Sequence, residues 1–326
     1  MSYRFANLAG TAGNRPRLIV TGAALLIVGA AGYATRSDNP LLDSRSRLPA
    51  AEAARPSAMI PSADLSRISW ADSNPDFPPD SLVEGQAAFD ENMRRLEAAM
   101  RRLEATPGYT ATFHRRERVA GRLLDHETIS VAVRHAPYSV YMKWLDEGAR
   151  EVLFVEGENG GRMVVRLAGW KGRMLPAIRI APDSSKAMEF SRHPASEFGL
   201  LEICRHLISD RRGDAGSGAD VRWRMAAKQR YEGRECTYFR LEYGSPHDSE
   251  AARLYRKSVQ IIDDETSLPI WVANYGWPAE GETFAGPEAL DAATLLEHYV
   301  YADLDLAPRF SPDEFDRANP AYGFQR

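Results

Sequence analysis

Asp303 and Asp305 stand two residues apart in YADLDL, the spacing that puts two carboxylates on one face of a strand. Such a pair could bind calcium or divide acid and base roles between them, although two acids at the solvated end of a strand are the commoner arrangement. Glu297 and His298 precede them in the same apolar segment, so a strand sends these two to opposite faces and they cannot share one metal. The other histidines lie at 114, 126, 135, 193, 206 and 247. Arg192-His193-Pro194 falls in a loop between the two halves of the strand pattern, where binding residues often collect. Cys204 and Cys236 could bond only if a helix carrying the first packs on a strand carrying the second, with Cα atoms about 4.4–6.8 Å apart. Two buried free thiols are the simpler reading. There is no G-x-S-x-G, H-E-x-x-H, G-x-x-x-x-G-K-[ST] or C-x-x-C. No catalytic residue, metal-ligand set or cofactor is therefore expected.

Apolar chemistry gives a stronger pattern. Tyr138, Val140, Met142 and Trp144 recur at period two and so line one face of a strand. With Phe113 and Phe154 on neighbouring strands they form a candidate surface for an apolar ligand. Burial by helices alone is the alternative. An apolar concavity of several hundred Å³ would support binding, whereas a polar cleft with two acids or a His–acid pair would support an enzyme.

The elements that must position these residues follow from periodicity. Ser81 and Glu84 have capping-box spacing, and Phe89, Met93, Leu96, Met100 and Leu103 give the following helix an apolar stripe that is expected to pack on a sheet. Thr106-Pro107-Gly108 ends it. Strands are predicted over Tyr109 to Val119, Leu123 to Arg134, Tyr138 to Leu145, Arg150 to Glu156 and Arg162 to Leu167, joined by connections too short for helical crossovers. A turn at Ala120-Gly121 would set Arg116 opposite Asp125 and His114 opposite Glu127. A second helix is predicted over Ala195 to Ser209 and a polar loop over Asp210 to Asp220. More strands follow at Val221 to Lys228, Thr237 to Tyr243, Ser258 to Ile262, Leu268 to Tyr275 and Leu295 to Leu306, then an irregular tail with a short helix starting at Pro312. The fold class is α+β: one antiparallel sheet of nine or ten strands with two main helices.

Ahead of this domain, Leu18 to Ala34 is a run of seventeen uncharged residues preceded by Arg4, Arg15 and Arg17 and no acid. A basic flank before an apolar run is what the export machinery reads. At about 1.5 Å per residue the run spans roughly 25 Å, the lower limit for a membrane helix, so it serves as an anchor or as a signal peptide cut after Ala34. Residues 1–17 would form a cytoplasmic basic terminus, 18–34 the anchor or signal, 35–80 a Pro/Ala/Ser-rich linker and 81–326 the globular domain. That domain is expected at the inner membrane on its periplasmic side, or free in the periplasm after cleavage. A net charge of −4 argues against a nucleic-acid partner.

The order FHRRERVAGRLLDHETISVAVRHAPYSVYMKWL, REVLFVEG, SRHPASEFGL, LPIWVANYGWP, LLEHYVYADLDL and DEFDRANPAYGF resembles the bacterial DUF1571 family over roughly Leu82 to Phe324. That family is similar in outline to the outer-membrane lipoprotein carriers, and the hairpin VQIIDDETSLPIWV has the look of theirs. The resemblance implies an open half-barrel wrapped round helices and carries over no established activity. The expected function is a non-catalytic envelope binding protein that receives a lipid, acyl chain or lipidated polypeptide. The alternatives are an envelope hydrolase acting on glycan or lipid, and a protein-binding scaffold.

Overall fold

In the computed structural model, residues 82–145 and 150–325 are described. The apolar run at 18–34 and the linker at 35–80 lie outside them. The chain begins with β1 (Leu82–Glu84), α1 (Gln86–Glu104), β2 (Gly108–Val119), β3 (Arg122–Leu123), β4 (Glu127–His135) and β5 (Tyr138–Trp144). Next come β6 (Glu151–Val155), β7 (Met163–Arg166), α2 (Gly169–Met174), β8 (Ile178–Ile180) and α3 (Leu200–Ser217). The remainder is β9 (Val221–Tyr231), β10 (Arg234–Tyr243), α4 (Glu250–Leu254), β11 (Lys257–Asp263), β12 (Pro269–Tyr275), α5 (Pro287–Thr294) and β13 (Leu295–Asp305).

All thirteen strands of the described residues join one antiparallel sheet in the order β1, β9, β10, β11, β12, β13, β2, β4, β5, β6, β7, β8, with β3 hairpinned onto β2. The sheet is open, with β1 and β8 at its edges. The α+β class and the antiparallel meander stand, but the strand number exceeds the nine or ten expected. β1 occupies the stretch read as a capping box: Leu82–Glu84 pair with Ala226–Arg224, and Gly85 at φ 70° turns the chain into α1. β3 splits from β4, and β8 is only three residues long.

Two registers differ from expectation. The hairpin turn at Ala120 and Gly121 is present, both at positive φ, but β4 starts one residue out of step with it. Arg115 therefore faces Glu127, and His114 faces Thr128. A one-residue slip sends every side chain to the other face, which is why Arg115 rather than Arg116 makes the charge pair, at 2.6 Å. In β13 a bulge between Ala302 and Asp305 breaks the face that Asp303 and Asp305 were to share. Asp303 accepts from the Thr112 hydroxyl (3.0 Å) and Asp305 caps the Ala307 amide (2.8 Å), both at the exposed end of the strand.

Helices α1 and α3 pack on one face of the sheet. Leu96 meets Leu207, Ile208, Phe239 and Ile262, while Ala99, Leu103, Leu200 and Cys204 join the large cluster built from β2, β4 and β5. The fully buried side of α1 is Ala88, Asn92, Leu96, Ala99 and Leu103, with Phe89, Met93 and Met100 half-buried beside it. Asn92 sits under the sheet because its amide donates to Gln260 at 3.1 Å. α3 starts at Leu200 rather than Ala195 and runs on through the predicted loop to Ser217. Its extra turns are held by Asp214, which accepts from Tyr243 (2.7 Å) and Ser249 (2.6 Å). Both cysteines are free and buried.

The opposite face of β4 to β7 is covered by the C-terminal tail, which forms turns instead of the short helix expected at Pro312. Tyr322 stacks on Tyr141 with ring centroids 3.9 Å apart, and the Gly323 amide donates to Glu151 at 2.8 Å. This explains why β5 carries large side chains on both faces: one side meets the helices and the other meets the tail.

Candidate functional site

The sheet register brings the six candidate residues to one face. Val140 pairs with Val133 and Phe154, Trp144 with Ile129, and Ile129 with Phe113. Phe113, Val140, Met142 and Trp144 are packed into the helix-facing core. Phe113 meets Phe198 at 5.0 Å and Tyr301 at 4.8 Å, and Trp144 donates to Glu127 at 2.9 Å beneath Arg150. Phe154 is buried in the same core and Tyr138 packs against it, but both also reach the surface of an opening. They line a cleft of about 340 Å³ between the ends of β4 to β6 and the first turn of α3.

Two phenols build this cleft. The Leu200 amide donates to the Tyr109 hydroxyl at 3.0 Å, and the Tyr138 hydroxyl donates to the carbonyls of Ala195 (3.0 Å) and Phe198 (2.8 Å). Burial raises both phenols above their ordinary pKa, so they remain neutral donors and acceptors. Between them they fix the segment before α3, where Gly199 takes φ 119° and turns Phe198, Leu200 and Leu201 into the wall. The polar groups on the wall include His135, Glu156, Glu202 and Arg205. The His135 Nδ1–H donates to the Thr106 carbonyl at 2.7 Å. The apolar face of β5 was legible as period two. The wall given by α3 was not, because helical periodicity extends back to Ala195 while the helix starts at Leu200.

Beside the cleft the same segment is fastened to the sheet by buried charge. Glu297, 3% exposed, accepts from Arg192 (2.9 Å), His193 (3.1 Å) and Asn274 (2.7 Å), with the Tyr255 and Tyr299 hydroxyls each at 3.3 Å. Tyr299 also donates to Glu117 at 2.6 Å, and Glu117 accepts from the Arg192 amide (3.2 Å) and from Arg115 (3.3 Å). Arg192-His193 is thus drawn onto Glu297, a union that neither segment announces in sequence. His298 points to the other side, against Trp271 at 4.7 Å, as strand alternation required.

Burial alone would raise the Glu297 carboxyl, but the His193 hydrogen bond and the charges of His193 and Arg192 outweigh it and hold it at about 2. His193 responds reciprocally: burial would lower its pKa, and Glu297 raises it above the ordinary 6.5. A base whose folded pKa is raised stabilises the fold fully below its unfolded pKa and loses that contribution as pH climbs through the folded value. The thermal midpoint of the wild type should therefore exceed that of His193→Gln most below about pH 6.5, with the gap narrowing as the pH rises above that value. A gap that stays constant through that rise would show that the imidazole is not charged in this contact.

No group of three His, Cys, Asp or Glu side chains is placed to hold a metal ion among the described residues. The family described as "Protein of unknown function (DUF1571)" matches residues 106–324. The chain belongs to the DUF1571 family. The cleft residues from Tyr109 to Arg205, and the charged network from Arg115 to Tyr299, fall inside the DUF1571 match, whereas α1 precedes it.

Comparison with curated proteins gives no match. Among solved structures, the MucA/MucB complex of Pseudomonas aeruginosa is similar at 14% identity and a TM-score of 0.39, covering 69% of this chain and 60% of that one. The chain thus spans less than two thirds of that relative. The lipoprotein LppX of Mycobacterium tuberculosis is similar at 11% identity and a TM-score of 0.38, covering 68% of this chain and 99% of that one. A putative outer membrane lipoprotein-sorting protein domain from Vibrio parahaemolyticus is similar at 12% identity and a TM-score of 0.28, covering 70% and 97%.

Proposed function

We propose that this protein is a non-catalytic envelope binding protein that holds one acyl chain, from a lipid or a lipidated polypeptide, in the cleft beneath the first turn of α3. The observation that carries the reading is the cleft itself: about 340 Å³, walled on its apolar part by Tyr138, Phe154, Phe198, Leu200 and Leu201 and on its polar part by Glu156, Ser196, Glu202 and Arg205. That volume lies at the lower end of the usual range for ligand sites and suits one chain rather than a bulky lipid. Each methylene moved from water is worth about 0.8 kcal/mol, so an acyl chain needs few polar contacts. Arg205 stands at the wall to meet its headgroup, paired to Glu202. The domain works on the outer side of the cytoplasmic membrane, tethered by residues 18–34 or released when they are cut.

One observation favours an envelope hydrolase acting on glycan or lipid as a second reading: the buried His193–Glu297 pair with Glu117 close by. Against it stands the occupation of Glu297 by Arg192, His193, Asn274 and Tyr255. A carboxylate held at about 2 is a poor proton acceptor at neutral pH, because general bases work best with a pKa near the operating pH.

Isolation of the full chain from its own cells in mild detergent, followed by native mass spectrometry, tests the binding reading and the location together. The expected result is a membrane- or envelope-fraction protein carrying an added acyl-lipid mass. Leu201→Trp fills the cleft and should lower the bound fraction tenfold or more, equivalent to losing about two methylenes, ~1.6 kcal/mol. Recovery from the cytosol would sink the location. Folded protein that carries no lipid and takes up none from added lipid or lipopeptide would sink the cargo.

A further inference from the structure

The last turn of the chain before the free edge of the sheet is apolar and open to solvent. Trp170 is 69% exposed and Met174 74%, one helical turn apart on α2, and Leu175 and Ile178 continue the exposed row onto β8. Large apolar side chains grouped at one surface mark an interaction site, whereas scattered ones need no explanation.

The stretch of sequence that carries this row is basic. From Asn159 to Pro182 the sequence contains no acid, and Arg162, Arg166, Lys171, Arg173 and Arg179 punctuate it, in a chain whose net charge is −4. Arg166 is occupied by Glu151 at 3.0 Å. Arg162 and Arg179 are exposed and make no ion pair with the described residues. Exposed apolar and aromatic side chains beside exposed Arg162 and Arg179, in a stretch with no acid, complement an anionic lipid surface: the indole and the long apolar groups enter the interfacial zone while these two cations meet headgroups.

The edge geometry argues against the commonest protein partner for such a site. A peptide adding a strand to the sheet would need a run of free backbone groups along β8. β8 has only three residues and is bracketed by Pro176 and Pro182, the device by which sheet edges resist strand addition. We propose that the α2–β8 edge docks on an anionic bilayer surface through Trp170, Met174, Leu175 and Ile178. The proposal rests on the membrane-proximal location given above and is independent of what the cleft holds.

The test uses the full chain reconstituted in phosphatidylcholine vesicles with and without phosphatidylglycerol, read by hydrogen–deuterium exchange of residues 169–180. The expected result is exchange several-fold slower in phosphatidylglycerol-containing vesicles alone, returning to the phosphatidylcholine rate at high salt and in the Trp170→Glu/Met174→Glu variant. Both side chains are exposed, so that variant keeps its fold, which unchanged exchange of α1 would confirm. Equal exchange in both vesicle types and in detergent would overturn the proposal. So would protection that appears in detergent on raising protein concentration, which would assign the row to a second copy. Exchange at residues 196–203 reports the cleft separately, so the loss of one reading leaves the other legible.

Discussion

Glu297→Ala should lower the unfolding free energy by about 3–5 kcal/mol, and the thermal midpoint by roughly 10 °C for a domain of this size. The loss comes from what remains behind. Without the carboxylate, Arg192, His193 and Asn274 keep their buried donors but lose the acceptor that satisfied them, and Tyr255 and Tyr299 lose part of theirs. Glu117 sits close by as a second buried acid, bonded to Tyr299 and to the Arg192 amide, and cannot replace Glu297 without giving these up. Glu297→Gln keeps one acceptor oxygen and should fall between the wild type and Glu297→Ala. Because the carboxyl pKa is depressed, the ionic part of its contribution is present above pH 4.5 and fades as the pH drops toward 2. Urea unfolding of the two variants at neutral pH measures this. A loss below about 1 kcal/mol for the alanine variant would place the network among surface ion pairs and remove it as the fastening of the cleft segment.

Leu96→Asp is expected to be as severe or worse, above about 4 kcal/mol, enough to prevent folding at growth temperature. Leu96 is fully buried among Leu207, Ile208, Phe239 and Ile262, at the point where α1, α3 and the sheet meet. The substitution removes the side chain's burial, worth about 2–5 kcal/mol, and adds a carboxyl with no partner, whose pKa must rise for it to stay there. Met93→Asp, one turn earlier but only half-buried, should cost less than half as much. Leu96→Met nearly conserves volume and should cost under about 1.5 kcal/mol. Chemical denaturation of the three variants decides the matter. Equal losses at 93 and 96 would mean that α1 is rotated from the orientation described.

That contrast shows which signals the sequence carried. Helix periodicity located α1 and its apolar side, and period-two spacing located β5 and the face shared by Tyr138 and Trp144, because both patterns are local. The centre of the α1 stripe was hidden: Ala88, Asn92 and Ala99 do not look like core residues, and Asn92 is buried only because Gln260, 168 positions away, accepts its amide. The network around Glu297 was hidden in the same way, since its donors come from four separate stretches of chain. The β4 register escaped because residues 124–126 bulge between the hairpin and the strand, a slip that charge pairing alone could not place. The cleft was half legible. Tyr138 and Phe154 belonged to the predicted face, but the opposing wall depends on Gly199, whose left-handed backbone sets where α3 begins.

The sheet order has a temporal consequence. Its centre is the pairing of β13 with β2, the last strand with the second, where Tyr299 reaches Glu117 across 182 residues of sequence. Neither half of the sheet can join the other until β13 has emerged, and pairings this distant form late and slowly. Under the export proposed above, such a delay would be useful: the seam that completes the domain is missing while the leading part is threaded, so the polypeptide would stay in the extended form that a narrow channel admits.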